Sequence, residues 1–270
     1  MFMVRLRSSA IVLTLTILFV VLGGNVLFAA MGIISLIGMM ELYRILKLHK
    51  SLLGGLGYLA AFSYYALLYF ELKGLFLMFF ILFLLLIMML YVFQFPKYNT
   101  EQVSIAFLGL FYVSIMLSYI YQVRMLEDGA WLVWLIFIGA WGSDTCAYCV
   151  GMLIGKHKIT PKLSPKKSLE GCIGGVVGAA LIGFLYATAI SSQLTGISKP
   201  QLLFALIGAA SSVISQIGDL AASAIKRNHE IKDYGKLIPG HGGILDRFDS
   251  IIFTAPIVYY LTVMLGNGLF

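Results

Sequence analysis

The sequence predicts an all-α, polytopic integral membrane protein with about nine transmembrane helices, and three observations support this prediction. The chain has 270 residues, of which 60% are hydrophobic and only 11% are charged, whereas soluble domains average about 25% charged residues. Several apolar runs reach the ~20 residues that are needed to cross a ~30 Å hydrocarbon layer. The basic residues fall mainly between alternate runs, as they do in proteins whose basic loops stay in the cytoplasm.

The first apolar run is too long for one crossing, because a helix over residues 10–46 would extend about 55 Å. The Gly-Gly-Asn sequence at 23–25 is the natural break, so two spans are predicted, at residues 8–23 and 25–46. The basic N-terminus resembles the start of a signal peptide. However, the apolar pattern continues past a possible cleavage site at Ala29 and Ala30, so we expect the first span to be retained.

Seven further apolar segments follow, at residues 51–70, 75–95, 102–122, 129–154, 169–191, 201–225 and 249–267. If the N-terminus is cytoplasmic, only Lys73, Arg124 and Lys199 of the 19 basic residues fall outside. We therefore expect a cytoplasmic N-terminus, an outside C-terminus and a location in the inner (cytoplasmic) membrane. The net charge of +7 is explained by these basic loops, so nucleic acid is not expected as a partner.

Polar residues divide the chain into two predicted regions. Residues 1–127, with about five spans, are interpreted as a transmembrane scaffold, in which Glu41 and Arg44 are expected to pair at the rim of a helix. Residues 128–270, with about four spans, are interpreted as the catalytic region. This region includes two cytoplasmic loops, at 155–168 and 226–248, that contain most of its charged residues.

The most polar stretch runs from 219 to 249 and reads DLAASAIKRNHEIKDYGKLIPGHGGILDRFD. Helical spacing places Asp246 and Asp249 on one face if the last helix begins near Leu245, and Asp219 lies on the preceding helix. Carboxylates that converge from separate helices suit a hard divalent cation, and neighbouring Lys and Arg suit phosphate. The pattern therefore predicts metal-assisted phosphoryl or nucleotidyl transfer. A network that only locks helices together would need fewer charges.

Asp144 lies in the middle of the predicted span 129–154. A lone carboxylate in hydrocarbon costs about 3 kcal/mol or more. We therefore expect Asp144 to face a polar cavity with a functional partner. The alternative interpretation is a structural hydrogen bond to a neighbouring helix.

The basic loop that follows ends at the start of a helix with the sequence SPKKSLEG, residues 164–171. Ser168 is the predicted N-cap, and Glu170 lies in the first turn, where the helix dipole favours acidic residues. Free backbone amides there, together with Lys166 and Lys167, would bind phosphate oxygens. The alternative is a basic loop that only sets the topology.

The order of residues in the polar stretch resembles the signature of the phosphatidate cytidylyltransferases, or CDP-diacylglycerol synthases. The pattern that carries the resemblance is Ser223-x-Ile225-Lys226-Arg227-x4-Lys232-Asp233-x-Gly235-x2-Ile238-Pro239-x-His241-Gly242-Gly243-Ile244-x-Asp246-Arg247-Phe248-Asp249. The segment around Asp144 and the SPKKSLEG loop also resemble this family, so the resemblance covers about residues 140–250. The first half of the chain is similar only in being hydrophobic and multi-spanning.

The resemblance implies that the enzyme converts CTP and phosphatidate to CDP-diacylglycerol and pyrophosphate. It also implies that the reaction needs Mg²⁺, with or without a second cation, and that the enzyme is a homodimer. The implied metal ligands are the carboxylates of Asp219, Asp246 and Asp249. The implied CTP-binding residues are Asp144, Lys166, Lys167, Ser168 and Glu170. Asp144 would also lie near the metal, and Glu170 would orient Lys167 or the nucleotide.

The resemblance also implies roles for the basic residues of the last loop. The residues that would neutralise the phosphatidate head or the leaving pyrophosphate are Lys226, Arg227 and Arg247. His241 would donate a hydrogen bond to phosphate. Together with Asp219 and Asp246, these are the candidate catalytic residues.

Two alternatives remain at the level of sequence. A related CTP-dependent lipid kinase or an ether-lipid CDP synthase would use similar chemistry, although the full signature argues against the kinases. An ion-coupled transporter could use Asp144 and Asp219 as ion sites. Against the transporter, the charges cluster at one membrane face rather than at the midplane, and the sequence has no inverted repeat.

Overall fold

A computed structural model of the chain describes residues 2–266, and these form a bundle of long helices. Among the described residues, nine helices are long and apolar enough to cross a membrane, which confirms the predicted number. They are α1 (Phe2–Leu22), α2 (Gly24–Ile45), α3 (Leu52–Tyr69), α4 (Phe76–Phe93), α5 (Thr100–Arg124), α6 (Gly129–Ile154), α7 (Leu169–Ile190), α8 (Pro200–Asn228) and α9 (Leu245–Gly266). Residue 267, the predicted end of the last span, lies outside the described residues.

The predicted break between the first two helices is confirmed at Gly23. Gly23 and Gly24 have φ values of 61° and 48°, a left-handed conformation that glycine adopts at little cost. Arg124 donates a hydrogen bond from Nε to the Val20 carbonyl at 3.1 Å. A Cβ atom on Gly23 would lie 3.0 Å from the Arg124 guanidinium, so the turn has room only for glycine.

Two helices contain π-helical turns that the sequence did not predict, at Gly109–Ile115 in α5 and Ile138–Gly142 in α6. Such turns often occur at functional sites. The turn in α6 directly precedes Ser143 and Asp144. The Ser143 hydroxyl lies 2.6 Å from the Ser212 hydroxyl of α8, so the start of the Asp144 segment is fixed against a neighbouring helix.

The loop before α7 contains a small antiparallel hairpin, which is a difference from the all-helical prediction. Its strands are β1 (Lys158–Thr160) and β2 (Ser164–Ser168). The Leu169 amide closes the base by donating to the His157 carbonyl at 2.8 Å. The hairpin therefore leads directly into the first turn of α7.

The helices α6, α7 and α8 pack closely, because α7 carries glycine where its neighbours approach. A Cβ atom on Gly174 would lie 2.5 Å from Val150, and one on Gly178 would collide with Cys146. By contrast, α4 belongs to the most apolar span, Lys73–Phe93, which has a mean hydropathy of 3.1 and is only 11% buried. Helices α6, α7 and α8 thus form a closely packed unit, and α4 presents an outward apolar surface.

Candidate active site

The charged loops and the N-terminal end of α1 meet at one end of the bundle. The Ser8 hydroxyl donates to the Pro239 carbonyl at 2.9 Å, and His229 Nε2 lies 3.8 Å from Glu101 Oε1. At the opposite end, the Thr195 amide donates to Asp128 at 2.9 Å. The candidate site is therefore built where helix ends from both halves of the chain converge.

The side chain of Asp246 organises the loop between α8 and α9. Its Oδ1 pairs with Lys226 Nζ at 2.9 Å, and its Oδ2 accepts hydrogen bonds from the amides of Tyr234 and Gly243 at 2.8 and 2.9 Å. Asp246 is buried. A buried carboxylate needs such partners, so the loop folds around this one side chain.

Lys226 is largely enclosed by acidic and aromatic groups. Besides Asp246, its Nζ lies 4.0 Å from Asp249 Oδ2 and 5.2 Å from the centre of the Tyr234 ring. Burial raises the pKa of the Tyr234 hydroxyl above its ordinary value, so this group stays protonated and donates to the Ala222 carbonyl at 3.1 Å. In this structure Lys226 neutralises the carboxylates of α9.

A second ion pair joins the hairpin to α8. Lys167 Nζ lies 2.5 Å from Asp219 Oδ2 and 3.5 Å from the Gln216 carbonyl. Both side chains of the pair are partly exposed, 21% for Lys167 and 32% for Asp219. The basic loop and the polar stretch, which are separated by more than a full helix, thus form one site.

One carboxylate at this point lies within electrostatic range of carboxylates on two other helices. Asp219 of α8 interacts with Asp144 of α6 and with Asp249 of α9. The Arg247 guanidinium interacts with both Asp144 and Asp249. The structure therefore brings Asp219 near acidic residues that the sequence placed on separate helices, with Lys167 and Arg247 nearby.

The start of α7 has the predicted N-cap, since the Ser168 hydroxyl accepts a hydrogen bond from the Gly171 amide at 3.2 Å. Glu170 has a different position from the one implied. Its carboxylate accepts from the amides of Lys156 and His157 at 3.0 and 3.2 Å and lies 2.6 Å from His157 Nδ1. Because Lys167 reaches across to Asp219 instead, Glu170 holds the base of the hairpin.

A cleft of about 430 Å³ opens between the hairpin and helices α6, α7 and α8, within the usual size range for small-ligand sites. Its polar lining consists of Asp144, Lys158, Lys166, Lys167, Ser168 and Gln216. Tyr148 and Met152 form an apolar wall. The residues predicted to bind a nucleotide therefore surround one cleft, with Glu170 behind the hairpin.

The remaining basic candidates lie around the glycine-rich turn. His241 and Arg247 line a second cavity, of about 610 Å³, beside this turn. Arg227 is exposed at the end of α8 and, within residues 2–266, lines neither this cavity nor the cleft. Arg227 thus lies outside the cavity that His241 and Arg247 line.

Glu41 was interpreted as half of a rim ion pair with Arg44, and this prediction is wrong. The residue is 2% exposed and accepts hydrogen bonds from the amides of Ile244 and Leu245 at 3.1 and 2.9 Å. The first amides of a helix have no partner within the helix, so Glu41 of α2 caps α9 from outside. The sequence did contain a signal that could have identified Glu41, because an ionisable residue inside an apolar span usually has a functional role.

The carboxylates at this end of the bundle are oxygen donors of the kind that suits Mg²⁺. In the described part of the chain, no three His, Cys, Asp or Glu side chains form a ready-made cluster. Mg²⁺ is commonly held by one or two carboxylates plus substrate phosphates and water. Of the three predicted metal ligands, Asp219 has the most accessible side chain, at 32% exposed, against 12% for Asp249 and 3% for Asp246.

Comparison with known proteins gives the family. The phosphatidate cytidylyltransferase of Bacillus subtilis is 33% identical over 268 residues, covering 95% of this chain and 96% of the relative. The same-named protein of Synechocystis is 32% identical, covering 97% and 96%, and that of Thermotoga maritima is 35% identical, covering 61% and 60%. The sequence model described as "Cytidylyltransferase family" matches residues 3–265. The chain therefore belongs to the cytidylyltransferase family.

Proposed function

We propose that this protein transfers a cytidylyl group from CTP to phosphatidate and releases pyrophosphate, which yields CDP-diacylglycerol. One observation carries the proposal. The hairpin cleft, with its lysines and helix N-terminus, is joined to the acidic ends of α8 and α9 through the Lys167–Asp219 ion pair. This arrangement places phosphate-binding groups beside carboxylates suited to a divalent cation.

The cleft is the proposed CTP site. The amides at the start of α7 and the side chains of Lys166 and Lys167 would hold the triphosphate. Asp144 lines the same cleft and would contact the nucleotide or its metal. Glu170 would act indirectly, because it fixes the hairpin that presents the lysines.

The proposed metal ligands are Asp219, Asp246 and Asp249. Asp219 would be a direct ligand once the triphosphate attracts Lys167 away from it. Asp246 already accepts one ion-pair contact and two backbone hydrogen bonds. Few of its lone pairs therefore remain free to coordinate a metal ion. Bound Mg²⁺, with or without a second cation, would neutralise phosphate charge and polarise the reacting phosphorus.

The basic residues of the last loop would act on the second substrate and the leaving group. Arg247 lies within electrostatic range of both Asp144 and Asp249, so it would contact the phosphatidate phosphate near the reacting atoms. His241 would donate a hydrogen bond to phosphate. Lys226 would hold the α9 carboxylates in place, and exposed Arg227 would attract anions to the site.

The chemistry requires neutralisation more than proton transfer. A phosphatidate oxygen attacks the α-phosphorus of CTP, and the bond from this phosphorus to the bridging oxygen of the β-phosphate breaks. The attacking oxygen is already anionic near neutral pH, so no strong general base is needed. The main barrier is the repulsion between two polyanions, which preorganised cations lower.

We also propose the cellular setting that the sequence predicts. The basic loops would face the cytoplasm, where CTP is available, and the enzyme would lie in the inner membrane with its C-terminus outside. The family resemblance supports a homodimer. Light scattering of detergent-purified protein, with the detergent mass subtracted, tests that state directly.

Pyrophosphate release by purified protein tests the function. We expect release only when CTP, Mg²⁺ and phosphatidate are all present, together with a CDP-lipid product. Asp219→Asn should lower kcat by about 100-fold or more, a typical loss for an electrostatic catalytic group. The matched control is Asp128→Asn at the opposite end of the bundle, which should leave the rate unchanged.

Other outcomes would point elsewhere. CTP binding without release on phosphatidate would indicate a different lipid acceptor. Full Mg²⁺-dependent activity in a folded Asp219→Asn protein would overturn the metal assignment. The ion-coupled transporter is disfavoured by family membership, and it would release no pyrophosphate at all.

A further inference from the structure

The second cavity, beside the glycine-rich turn, has an excess of positive charge. Its volume is about 610 Å³. The charged residues that line it are Arg5, Lys232, Asp233, Lys236 and Arg247, four cations and one acid. Such a lining suits an anion that carries more than one negative charge, as a phosphate monoester does.

This cavity continues into a narrow groove that becomes apolar. The groove has a volume of about 230 Å³ and shares His241 and Arg247 with the cavity. Beyond these two residues it is lined by Ser8 and Ser9 and then by the apolar side chains of Val12, Leu13 and Trp141. The cavity therefore suits a charged group, and the apolar end of the groove suits a hydrocarbon chain.

Helix α1 forms one wall of the groove, and the turn holds it there. The Ser8 hydroxyl donates to the Pro239 carbonyl at 2.9 Å, and the Ser9 hydroxyl lies 2.9 Å from His241 Nε2. Only 17% of the span Arg5–Leu22 is buried in the protein, and Leu13 is 48% exposed. Because α1 borders the bilayer, a lipid chain can reach the groove without crossing the packed core.

We infer that the cavity and groove bind the lipid substrate, with its phosphate monoester among Arg5, Lys232 and Arg247 and its apolar part along Leu13 and Trp141. This inference rests on the proposed function and adds to it a separate site for the lipid. CTP would occupy the hairpin cleft. Arg247 would join the two, since it lines the cavity and interacts with Asp144 of the cleft.

Steady-state kinetics in mixed micelles test the inference. Arg5→Gln removes a cation from the cavity and should raise the KM for phosphatidate about tenfold, the effect of losing one charge-assisted hydrogen bond. Leu13→Trp fills the groove and should also raise the KM for phosphatidate. Neither change should alter the KM for CTP, because neither side chain lines the cleft.

Matched controls lie on the other side of α1. Arg7→Gln removes the same charge two residues further along the helix, and Ile11→Trp adds the same bulk at a position that is 60% exposed. Neither Arg7 nor Ile11 lines the cavity or the groove. Both controls should keep the wild-type KM for phosphatidate and for CTP.

Thermal unfolding without CTP supplies a readout that does not depend on turnover. Phosphatidate should raise the Tm of the wild type and of Arg7→Gln, and the shift should be at least halved in Arg5→Gln and in Lys232→Gln. Inorganic phosphate and glycerol 3-phosphate at the same concentration should produce no comparable shift. An equal shift with either soluble phosphate would overturn the assignment to a lipid.

The two hypotheses can fail separately. Normal pyrophosphate release with an unaltered phosphatidate KM in both Arg5→Gln and Leu13→Trp would contradict the lipid site and leave the proposed function intact. If the wild type released no pyrophosphate while phosphatidate still stabilised it through Arg5, the lipid site would stand and the proposed function would fail.

Discussion

Glu41 lies in α2, more than 200 residues before the helix that it caps. Its carboxylate is the acceptor for the amides of Ile244 and Leu245, which lie just before and at the first residue of α9 and directly precede Asp246 and Arg247. Hydrogen bonds to a charged acceptor contribute about 1.5–3 kcal/mol each. The position of the acidic residues on α9 therefore depends on a side chain from the predicted scaffold.

We expect Glu41→Ala to lower both stability and activity, because two buried amides lose their acceptor at a cost of about 1–3 kcal/mol each. Glu41→Gln keeps one carbonyl oxygen and should recover part of each loss. The checks are the Tm in detergent and the kcat for pyrophosphate release. Glu71→Gln, a change at an exposed acid, is the control. Wild-type Tm and kcat in Glu41→Ala would contradict the capping role.

Lys226 and Arg227 are adjacent cations with opposite environments, so they form a natural pair for a stability test. Lys226→Met would leave Asp246, whose side chain is 3% exposed, without its counter-charge. Breaking a buried ion pair in this way costs about 3–5 kcal/mol. Arg227→Met removes an exposed charge and should change the free energy of unfolding by less than about 0.5 kcal/mol. Equal changes in the two variants would show that the Lys226 pair is not structurally important.

At the scale of elements, two helices have the same kind of N-cap in different settings. Ser168 caps α7 at the edge of the cleft, and Ser51 caps α3 by accepting from the Gly54 amide at 3.1 Å. Replacing either serine with alanine should cost about 1 kcal/mol. Only Ser168→Ala should also raise the KM for CTP, because only this cap shapes the phosphate-binding turn. A raised KM in Ser51→Ala would show that the effect is one of general stability.

The helices were predictable from sequence, and the irregular elements were not. Apolar runs of sufficient length fix the spans, and glycine marks the break at Gly23. The base of the hairpin at 158–168 is held by hydrogen bonds from the amides of Lys156 and His157 to Glu170. The local sequence does not predict these contacts. The π turns in α5 and α6 depend on packing between helices, so the residues that form them look like ordinary helix.

At the scale of the whole molecule, the N-terminal end of α1 and the basic loops lie at the same end of the bundle. Their side of the membrane can be tested with cysteine variants made after Cys146, Cys149 and Cys172 are replaced by serine. In intact cells, a membrane-impermeant thiol reagent should label Lys199→Cys and should not label Lys236→Cys. The reverse result would invert the proposed orientation.

The candidate site was predictable only where its residues lie within one motif. The polar stretch and the SPKKSLEG loop identified the carboxylates and lysines because charges are costly in a membrane and therefore conspicuous. The contributions of Ser8, Ser9 and Glu41 were missed, since their hydrogen-bond partners lie more than 200 residues away in the sequence. Their function depends on long-range contacts, which only the fold specifies.

The cap on α9 has a consequence for how this sequence can vary during evolution. A Cβ atom on Gly235 or Gly243 would collide with the Glu41 carboxylate, so the capping position of this carboxylate favours glycine at both other positions. A relative that lost the carboxylate would be free to gain side chains at 235 and 243, and would need another acceptor for the two amides. We expect these three positions to covary across homologous sequences, although a long stretch of chain separates the first from the others.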